Sequence, residues 1–136
     1  MANLIADVLR EKQHTVTVQH VRESKPAQFS GPYEAVLIGS PSWDYQGKEG
    51  QLHEEMRTFL ESAEGVSLEG KKVAVFGLGD SSYMYFTGAV NYLEKFVADH
   101  HGSLLIPSLR IDGFYFDLEK NEQLARDWAQ QLVGHL

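Results

Sequence analysis

Apolar positions along the chain follow two patterns, helical spacing and short continuous or alternating runs. Helical spacing, with apolar residues three or four positions apart, occurs four times and predicts four amphipathic helices. The first of these helices covers about residues 2–12. The four apolar stripes are Leu4, Ile5, Val8 and Leu9; Leu52, Met56, Phe59 and Leu60; Phe86, Val90, Leu93 and Val97; and Leu124, Trp128 and Leu132.

Four other segments have the pattern of β-strands. Residues 15–21 alternate with period two and are rich in β-branched side chains, which predicts a strand with one covered face. Residues 34–39 and 72–77 are short continuous apolar runs, typical of strands that are buried on both faces. Residues 103–111 predict a last strand that is interrupted near Pro107.

Strands and helices therefore alternate along the chain. This alternation predicts an α/β fold, an open parallel sheet of four strands with helices on both faces, formed by residues 1–136 as one domain. The segments at residues 22–32 and 40–50 are predicted loops. A sheet of this kind normally begins with a strand, yet the first predicted element is the helix at residues 2–12. Either the sheet has only four strands, or a strand is missing from this chain.

Composition narrows the classes of function. Apolar residues make up 43% of the chain and charged residues 23%, as in ordinary globular domains. The absence of cysteine excludes disulfides, thiolate catalysis and cysteine-ligated metals. The net charge of -7 argues against non-specific nucleic-acid binding and favours basic partners, or solubility alone. The chain has neither a long apolar run nor a signal-peptide pattern, so we expect no membrane span and a cytoplasmic location.

Most of the aromatic residues fall in three segments that follow predicted strands, at residues 40–50, 78–86 and 112–117. In an open parallel sheet these segments share the edge at which ligands bind. Each large ring left in water forgoes roughly 1.5–3 kcal/mol of burial, so the clustering favours a covered partner. Alternatively, the rings fold inward and cap the sheet. The aromatic residues are Trp43, Tyr45, Tyr83, Tyr85, Phe86, Phe114, Tyr115 and Phe116, and the acids Asp44, Glu49, Glu54, Asp80, Asp112 and Asp117 lie on or near the same edge.

Two glycines at the end of the second buried strand suggest a close approach to a ligand. Gly77 and Gly79 would allow the backbone to turn sharply and to approach a flat ring, because neither has a Cβ atom. The stretch GLGDSS lacks the third glycine of the dinucleotide fingerprint, and Asp80 would repel a pyrophosphate, so that fingerprint is excluded. The serines of these loops lie outside any nucleophile-elbow motif, and no paired-histidine zinc motif is present. We therefore predict neither catalytic residues nor a metal site.

With these loops in view, the chain resembles a flavodoxin of the short-chain type. The resemblance rests on VLIGSPSWD, KVAVFGLGDSSYMYFTGAV and LRIDG, of which the GDSSY-x-YF-x-GA block is the most specific part. Residues 2–21 also resemble the first helix and second strand of that family. The resemblance implies an electron carrier, without catalytic groups, that binds FMN and docks on basic redox partners. Its acidic and apolar surroundings would lower the reduction potential of the flavin.

The resemblance also implies the residues that bind the flavin. Trp43 would cover one face of the ring system and Tyr83 the other. The backbone around Asp44 would meet the N5 edge, and that of Gly79 and Asp80 the pyrimidine edge. The cofactor-binding residues implied in this way are Ser40, Pro41, Ser42, Trp43, Asp44, Gly77, Leu78, Gly79, Asp80, Tyr83, Tyr85 and Phe86.

The chain departs from the family pattern at its amino end. The family's first strand and the Ser/Thr-rich loop that holds the FMN phosphate have no counterpart before Met1. The strand would lie between residues 15–21 and 34–39, so its absence leaves a gap of about 10 Å. The flanking strands could pair directly, two chains could share edges in a homodimer, or the chain could be truncated. Loss of several phosphate contacts, each worth roughly 1.5–3 kcal/mol, would weaken FMN binding more than riboflavin binding.

Three functions follow from these observations. The first is a low-potential one-electron carrier with FMN between Trp43 and Tyr83. The second is a flavin-free module that serves in binding or dimerisation. The third, a small hydrolase or reductase, lacks an identifiable nucleophile or base and ranks last.

Overall fold

The computed structural model describes residues 1–136 as a mostly parallel sheet with helices on both faces. The sheet has the order β2-β1-β3-β4, and β5 also pairs with β3; β1 and β2 are antiparallel, and the other pairs are parallel. The predicted α/β class and its four helices are confirmed. The elements in chain order are α1 (Ala2–Glu11), β1 (Ala35–Tyr45), β2 (Lys48–Leu52), α2 (Glu54–Glu61), β3 (Lys72–Gly79), α3 (Gly88–Asp99), β4 (Ser103–Leu104), β5 (Leu109–Asp112) and α4 (Leu118–Val133).

The sheet separates two apolar layers. One layer contains Met56 of α2 and Val90 and Leu93 of α3, and the other contains side chains of α1 and α4. Strand β3 supplies both layers, because Val73 and Val75 point into the first and Ala74 points into the second. All three residues are fully buried, as the continuous apolar run predicts.

The last predicted strand is divided in two. Strand β4 pairs with the beginning of β3, and β5 pairs with its end. Between them the carbonyl of Pro107 accepts a 2.8 Å hydrogen bond from Trp128 Nε1 of α4. The predicted interruption near Pro107 is therefore confirmed, since proline has no N–H to contribute to a ladder.

The prediction that residues 15–21 form a strand is wrong. Residues 15–20 are neither helical nor in a turn and belong to no sheet; His20 is extended, and a short 3-10 helix follows at Val21–Glu23. The period-two pattern of the segment is real, yet an extended segment becomes a strand only when a neighbour accepts and donates backbone hydrogen bonds. No such neighbour stands beside it, so direct pairing with β1 does not occur.

The predicted loop at residues 40–50 is also wrong, because most of it forms a hairpin. Strand β1 continues to Tyr45, turns at Gln46 and Gly47, and returns as β2, with Tyr45 opposite Lys48. Both turn residues have positive φ, 54° and 75°, as a two-residue turn that matches strand twist requires. The signal for this turn was the two-residue Gln-Gly connection.

Residues 34–39 were predicted to be buried on both faces, but as part of β1 they are only partly buried. Val36 and Leu37 are half-buried, whereas Ile38 is 5% exposed. The reason is an open slot, the space of about 840 Å³ between residues 14–21 and residues 34–41. Strand β1 pairs with β3 along one edge of residues 35–41, and the other edge faces this slot.

None of the helices is both long enough and apolar enough to cross a bilayer.

Candidate functional site

The parallel pairing of β1 and β3 brings the predicted site segments to one edge of the sheet. Ser40 lies beside Gly77, and Pro41 beside Leu78. Asp112, at the end of β5, lies beside Gly79. The segments that follow these three strands therefore emerge next to one another, as the sequence predicts.

Trp43 and Tyr83 are both half-exposed side chains at this edge. The indole of Trp43 is 51% exposed and packs edge-on against His53, with ring centroids 5.4 Å apart. The phenol of Tyr83 is 54% exposed. Trp43 lines the open slot and a smaller cavity of about 190 Å³ beside His53, and Tyr83 lines neither of the two. The contact between Trp43 and His53 was not anticipated from the sequence, because the pairing of β1 with β2 creates it.

Carboxylates from two other elements hold the loop that carries Tyr83. Ser81 N–H donates a 2.8 Å hydrogen bond to Asp112 Oδ1. Met84 N–H donates a 3.0 Å bond to Glu49 Oε2 of β2. Both acids were expected near this edge, and the structure shows that they anchor the backbone on either side of Tyr83.

Asp80 also stabilises this loop, through hydrogen bonds to other residues of the loop itself. Its Oδ1 accepts bonds from Ser82 Oγ at 2.6 Å and Ser82 N–H at 2.8 Å, and its carbonyl accepts one from Tyr83 N–H at 3.1 Å. The bond from the Ser82 hydroxyl, followed by that from its N–H, lowers the pKa of Asp80 against a smaller effect of desolvation. Four consecutive amides, at residues 81–84, are thus engaged within the protein. The loop therefore exposes the ring of Tyr83, and the N–H groups of residues 81–84 are not free to bind a ligand.

The glycines have a different role from the one predicted. Neither Gly77 nor Gly79 has a positive φ, so neither forms a sharp turn. A Cβ atom on Gly77 would lie 2.3 Å from Val90 Cγ2, and one on Gly79 would lie 2.6 Å from the backbone N of Thr87. The close approach that they permit is to α3 and the residue before it. That approach sets the position of the loop in which Tyr83 lies.

The two serines of β1 are engaged in structural hydrogen bonds. Ser42 Oγ accepts a 3.1 Å bond from Ala89 N–H at the beginning of α3. Ser40 is buried, and its Oγ donates to the carbonyl of Pro41 at 2.9 Å. Neither hydroxyl is paired with a histidine, and no group of three His, Asp or Glu side chains has the geometry of a metal site.

The other predicted site residues are placed as follows. Tyr85 is 59% exposed, and its Cβ and carbonyl lie against Gly50 of β2. Phe86 is half-buried just before α3. Asp44 accepts a 3.0 Å bond from Gly47 N–H and stabilises the hairpin turn.

Sequence reasoning missed Arg110 of β5. Its guanidinium donates to Thr87 Oγ1 at 3.1 Å and to Glu94 Oε1 at 3.0 Å. Thr87 is fully buried at φ 49°, an unusual conformation for a β-branched residue. No sequence pattern indicates this contact, because 23 residues separate Arg110 from Thr87.

Comparison with known proteins decides the family. The sequence profile described as Flavodoxin matches residues 1–126. The chain belongs to the flavodoxin family. A flavodoxin of Maridesulfovibrio salexigens is 34% identical over 121 residues, which cover 89% of this chain and 80% of the relative. The family consists of flavin-binding electron-transfer proteins and not of enzymes, so the predicted absence of catalysis is confirmed.

Solved flavodoxin structures agree with the fold. Oxidised flavodoxin 2 of Bacillus cereus superposes with a TM-score of 0.88 at 28% identity, covering 99% of this chain and 88% of that one. The flavodoxin of Fusobacterium nucleatum bound to flavin mononucleotide superposes with a TM-score of 0.79 at 18% identity, covering 96% and 86%. The second likeness concerns the fold alone.

Proposed function

We propose that this member of the flavodoxin family carries single electrons on FMN held between Trp43 and Tyr83. The observation that supports the proposal most directly is the adjacency of the two strands that lead into these residues. Strands β1 and β3 are parallel neighbours up to Pro41 and Leu78, and on each chain segment a half-exposed aromatic side chain comes after this paired part, Trp43 within β1 and Tyr83 after β3. Two rings on neighbouring segments would form the walls that a flat ring system requires.

The backbone between the two aromatic residues fits the edge of a flavin. The N–H of Asp80 donates to no protein group, whereas the next four amides are all engaged. This amide would donate to the pyrimidine edge, and the backbone around Asp44 would face the N5 edge. FMN supplies the one-electron chemistry when it is bound, and the relative from Fusobacterium nucleatum contains it.

The acids around Tyr83 give the site its electrostatic character. The carboxylates of Asp80, Glu49 and Asp112 all accept hydrogen bonds from residues 81–84 and therefore lie close to the ring. Negative charge next to the flavin opposes reduction to an anion, so we propose a low reduction potential. The same acids, with a net charge of -7, would steer basic redox partners, and we propose that these partners are met in the cytoplasm.

The loop that carries Tyr83 offers no comparable site for the phosphate of FMN. The amides of residues 81–84 are engaged by protein acceptors, so this loop cannot bind an anion in the way that free amides do. Stacking would therefore supply most of the affinity. We expect FMN and riboflavin to bind this chain with similar dissociation constants.

The test is a flavin titration of the purified chain. Binding of FMN or riboflavin should give a yellow protein with quenched flavin fluorescence. Trp43→Ala and Tyr83→Ala should each raise the dissociation constant at least about tenfold, the loss typical of one aromatic stacking contact. Tyr92→Ala is the matched control, because Tyr92 is similarly exposed but lies on α3 and bonds Gln51.

The second candidate is a flavin-free binding module. The open slot favours it, since the slot is an apolar space that none of the described elements fills. A colourless protein that binds neither FMN nor riboflavin would support the binding module and contradict the electron carrier. Equal affinity in Tyr83→Ala and the unmodified chain would contradict the stacking arrangement but not flavin binding.

A further inference from the structure

Strand β5 contacts both ends of the loop that carries Tyr83. Asp112 accepts the hydrogen bond from Ser81 N–H at the beginning of this loop. Arg110, two positions earlier in β5, donates to Thr87 at the end of the loop, to its Oγ1 at 3.1 Å and to its carbonyl at 3.3 Å. Side chains two positions apart in a strand point to the same face of the sheet, so one strand binds the loop at two points.

The backbone of Thr87 has a conformation that needs support. Thr87 immediately precedes α3, with φ 49° and ψ 32° in the left-handed region. A β-branched residue is strained in this region, and the conformation persists only where surrounding contacts stabilise it. Thr87 is fully buried, and a Cβ atom on Gly79 of β3 would lie 2.6 Å from its backbone N. A change of conformation at Thr87 would therefore move the loop relative to β3.

Arg110 also connects Thr87 to the next two turns of α3. Its Nη2 donates to Asn91 Oδ1 at 2.9 Å and to Glu94 Oε1 at 3.0 Å. Thr87, Asn91 and Glu94 are spaced by four and three positions, so they lie on one face of the helix. The planar guanidinium thus joins the end of the loop to α3 through hydrogen bonds in several fixed directions, which the single ammonium group of a lysine does not reproduce.

The strand that carries Arg110 is itself fixed from the opposite face. Leu109 and Ile111 are buried in the apolar layer that contains side chains of α1 and α4. Strand β5 also pairs with the end of β3. Arg110 therefore extends from a well-packed part of the sheet. Its charge is paired with the carboxylate of Glu94, so it adds little net charge beside the loop.

We propose that Arg110 is a positioning residue for flavin binding, which holds Thr87 in the left-handed conformation and thereby keeps Tyr83 in its stacking position. This role rests on the proposed function, in which Tyr83 stacks on the flavin. Asp112 and Glu49 bind the backbone on either side of Tyr83, and Arg110 fixes the point at which the loop joins α3. Without Arg110, Thr87 would relax toward an unstrained conformation and the loop would shift with it.

The first measurement needs no flavin. Amide hydrogen exchange is compared between the unmodified chain and Arg110→Met, which removes the donors and keeps a long side chain. The amides of residues 81–84 should exchange at least about tenfold faster in the variant, while those of α4, the internal control for global stability, should change by less than about threefold. Arg126→Met removes the same charge from α4, at the other face of the sheet, and should have no effect.

The exchange measurement has two outcomes that contradict the proposal. Unchanged exchange of residues 81–84 in Arg110→Met would overturn it, because the loop would then keep its position without the guanidinium. Equal acceleration in the loop and in α4 would overturn it in favour of a contribution of Arg110 to global stability alone.

The second measurement is the dissociation constant of riboflavin, which lacks the phosphate and therefore reports on the ring site alone. Arg110→Met should raise it at least about tenfold, as the loss of one stacking contact would. The same change made in Tyr83→Ala should leave it unaltered, because no ring remains to be positioned. Arg110→Lys keeps the charge without the planar fork, and it should bind riboflavin as weakly as Arg110→Met.

The binding measurement separates three alternatives. Equal losses from Arg110→Met with and without Tyr83 would overturn the proposal in favour of a general structural role. Full affinity in Arg110→Lys would overturn it in favour of an effect of charge. An unmodified chain that binds neither riboflavin nor FMN would contradict the electron carrier and, with it, the flavin-related role of Arg110. The exchange of residues 81–84 would still decide whether Arg110 fixes the loop.

Discussion

Strands β1 and β3 are neighbours with the same apolar character, yet their side chains are buried to different extents. Val73, Ala74 and Val75 of β3 are fully buried, while Val36 and Leu37 of β1 remain half-buried. Strand β3 has a partner on each edge, and β1 has one edge on the open slot along residues 35–41. An apolar run therefore shows that the side chains of a strand can be buried on both faces. The elements that pack beside the strand determine whether they are buried.

The largest difference should appear in amide hydrogen exchange. The amides of β3 are bonded on both edges, so they should exchange on the order of a thousandfold more slowly than the amides of residues 35–41 that face the open slot. The alternate amides of β1, which bond β3, are the internal control and should be protected. Uniform protection along β1 would show that the slot is closed in solution.

The glycines of the two strands should respond unequally to an added methyl group. In Gly77→Ala the Cβ would meet Val90 at 2.3 Å and the carbonyl of Ser40 at 2.9 Å, and neither can move freely. In Gly39→Ala it would meet the far end of the ring of Phe76, a side chain that lines the open slot. Urea unfolding should show a loss of about 3 kcal/mol for Gly77→Ala and about 1 kcal/mol for Gly39→Ala. Equal losses would indicate that Phe76 is as fixed as Val90.

Shortening one valine in each strand should give a smaller contrast. Val75→Ala removes two methyl groups from a fully buried site, and we expect a loss of about 2 kcal/mol in the free energy of unfolding. Val36→Ala should cost about 1 kcal/mol, because part of this side chain is already in water. Both variants should keep the unfolding m-value of the parent chain. A larger loss at Val36 would contradict the contrast between the strands.

The smallest effect concerns the ion pair that joins the beginnings of the two strands. Lys72 Nζ donates to Glu34 Oε1 at 2.6 Å, and this hydrogen bond, followed by the charge of Lys72, lowers the pKa of Glu34. A lowered pKa in the folded state stabilises the protein above the ordinary pKa of glutamate, and this contribution is lost as the pH falls through the lowered value. Glu34→Gln should therefore be slightly less stable at neutral pH and equal to the parent in acid. A difference that persists at low pH would contradict this origin.

The site could be predicted in outline but not in detail. The segments with Trp43 and Tyr83 were expected at one edge, because carboxyl ends of parallel strands meet there. The anchoring of Tyr83 by Glu49 and Asp112 could not be predicted. Each bond joins residues more than thirty positions apart, and its formation depends on the register of separate strands.

The clearest errors concern residues 15–21 and the hairpin of β1 and β2. In both, the local pattern described the conformation that a segment prefers and could not specify its partner. Residues 15–20 are neither helical nor in a turn, but they have no strand beside them. Residues 40–50 contain polar and turn-forming residues, yet the two halves of this segment pair with each other.

The order of apolar and polar residues alone determined the α/β class, the four helices and the buried centre of the sheet, since each depends on side-chain periodicity within one segment. Only the tertiary structure decided which edges of the strands are paired and which donors of the Tyr83 loop are engaged. Backbone N–H and C=O groups are the same in almost every residue, so the sequence does not indicate which distant segments will bond through them. The family resemblance predicted a gap beside β1, but only the tertiary structure showed that the flanking segments do not pair across it.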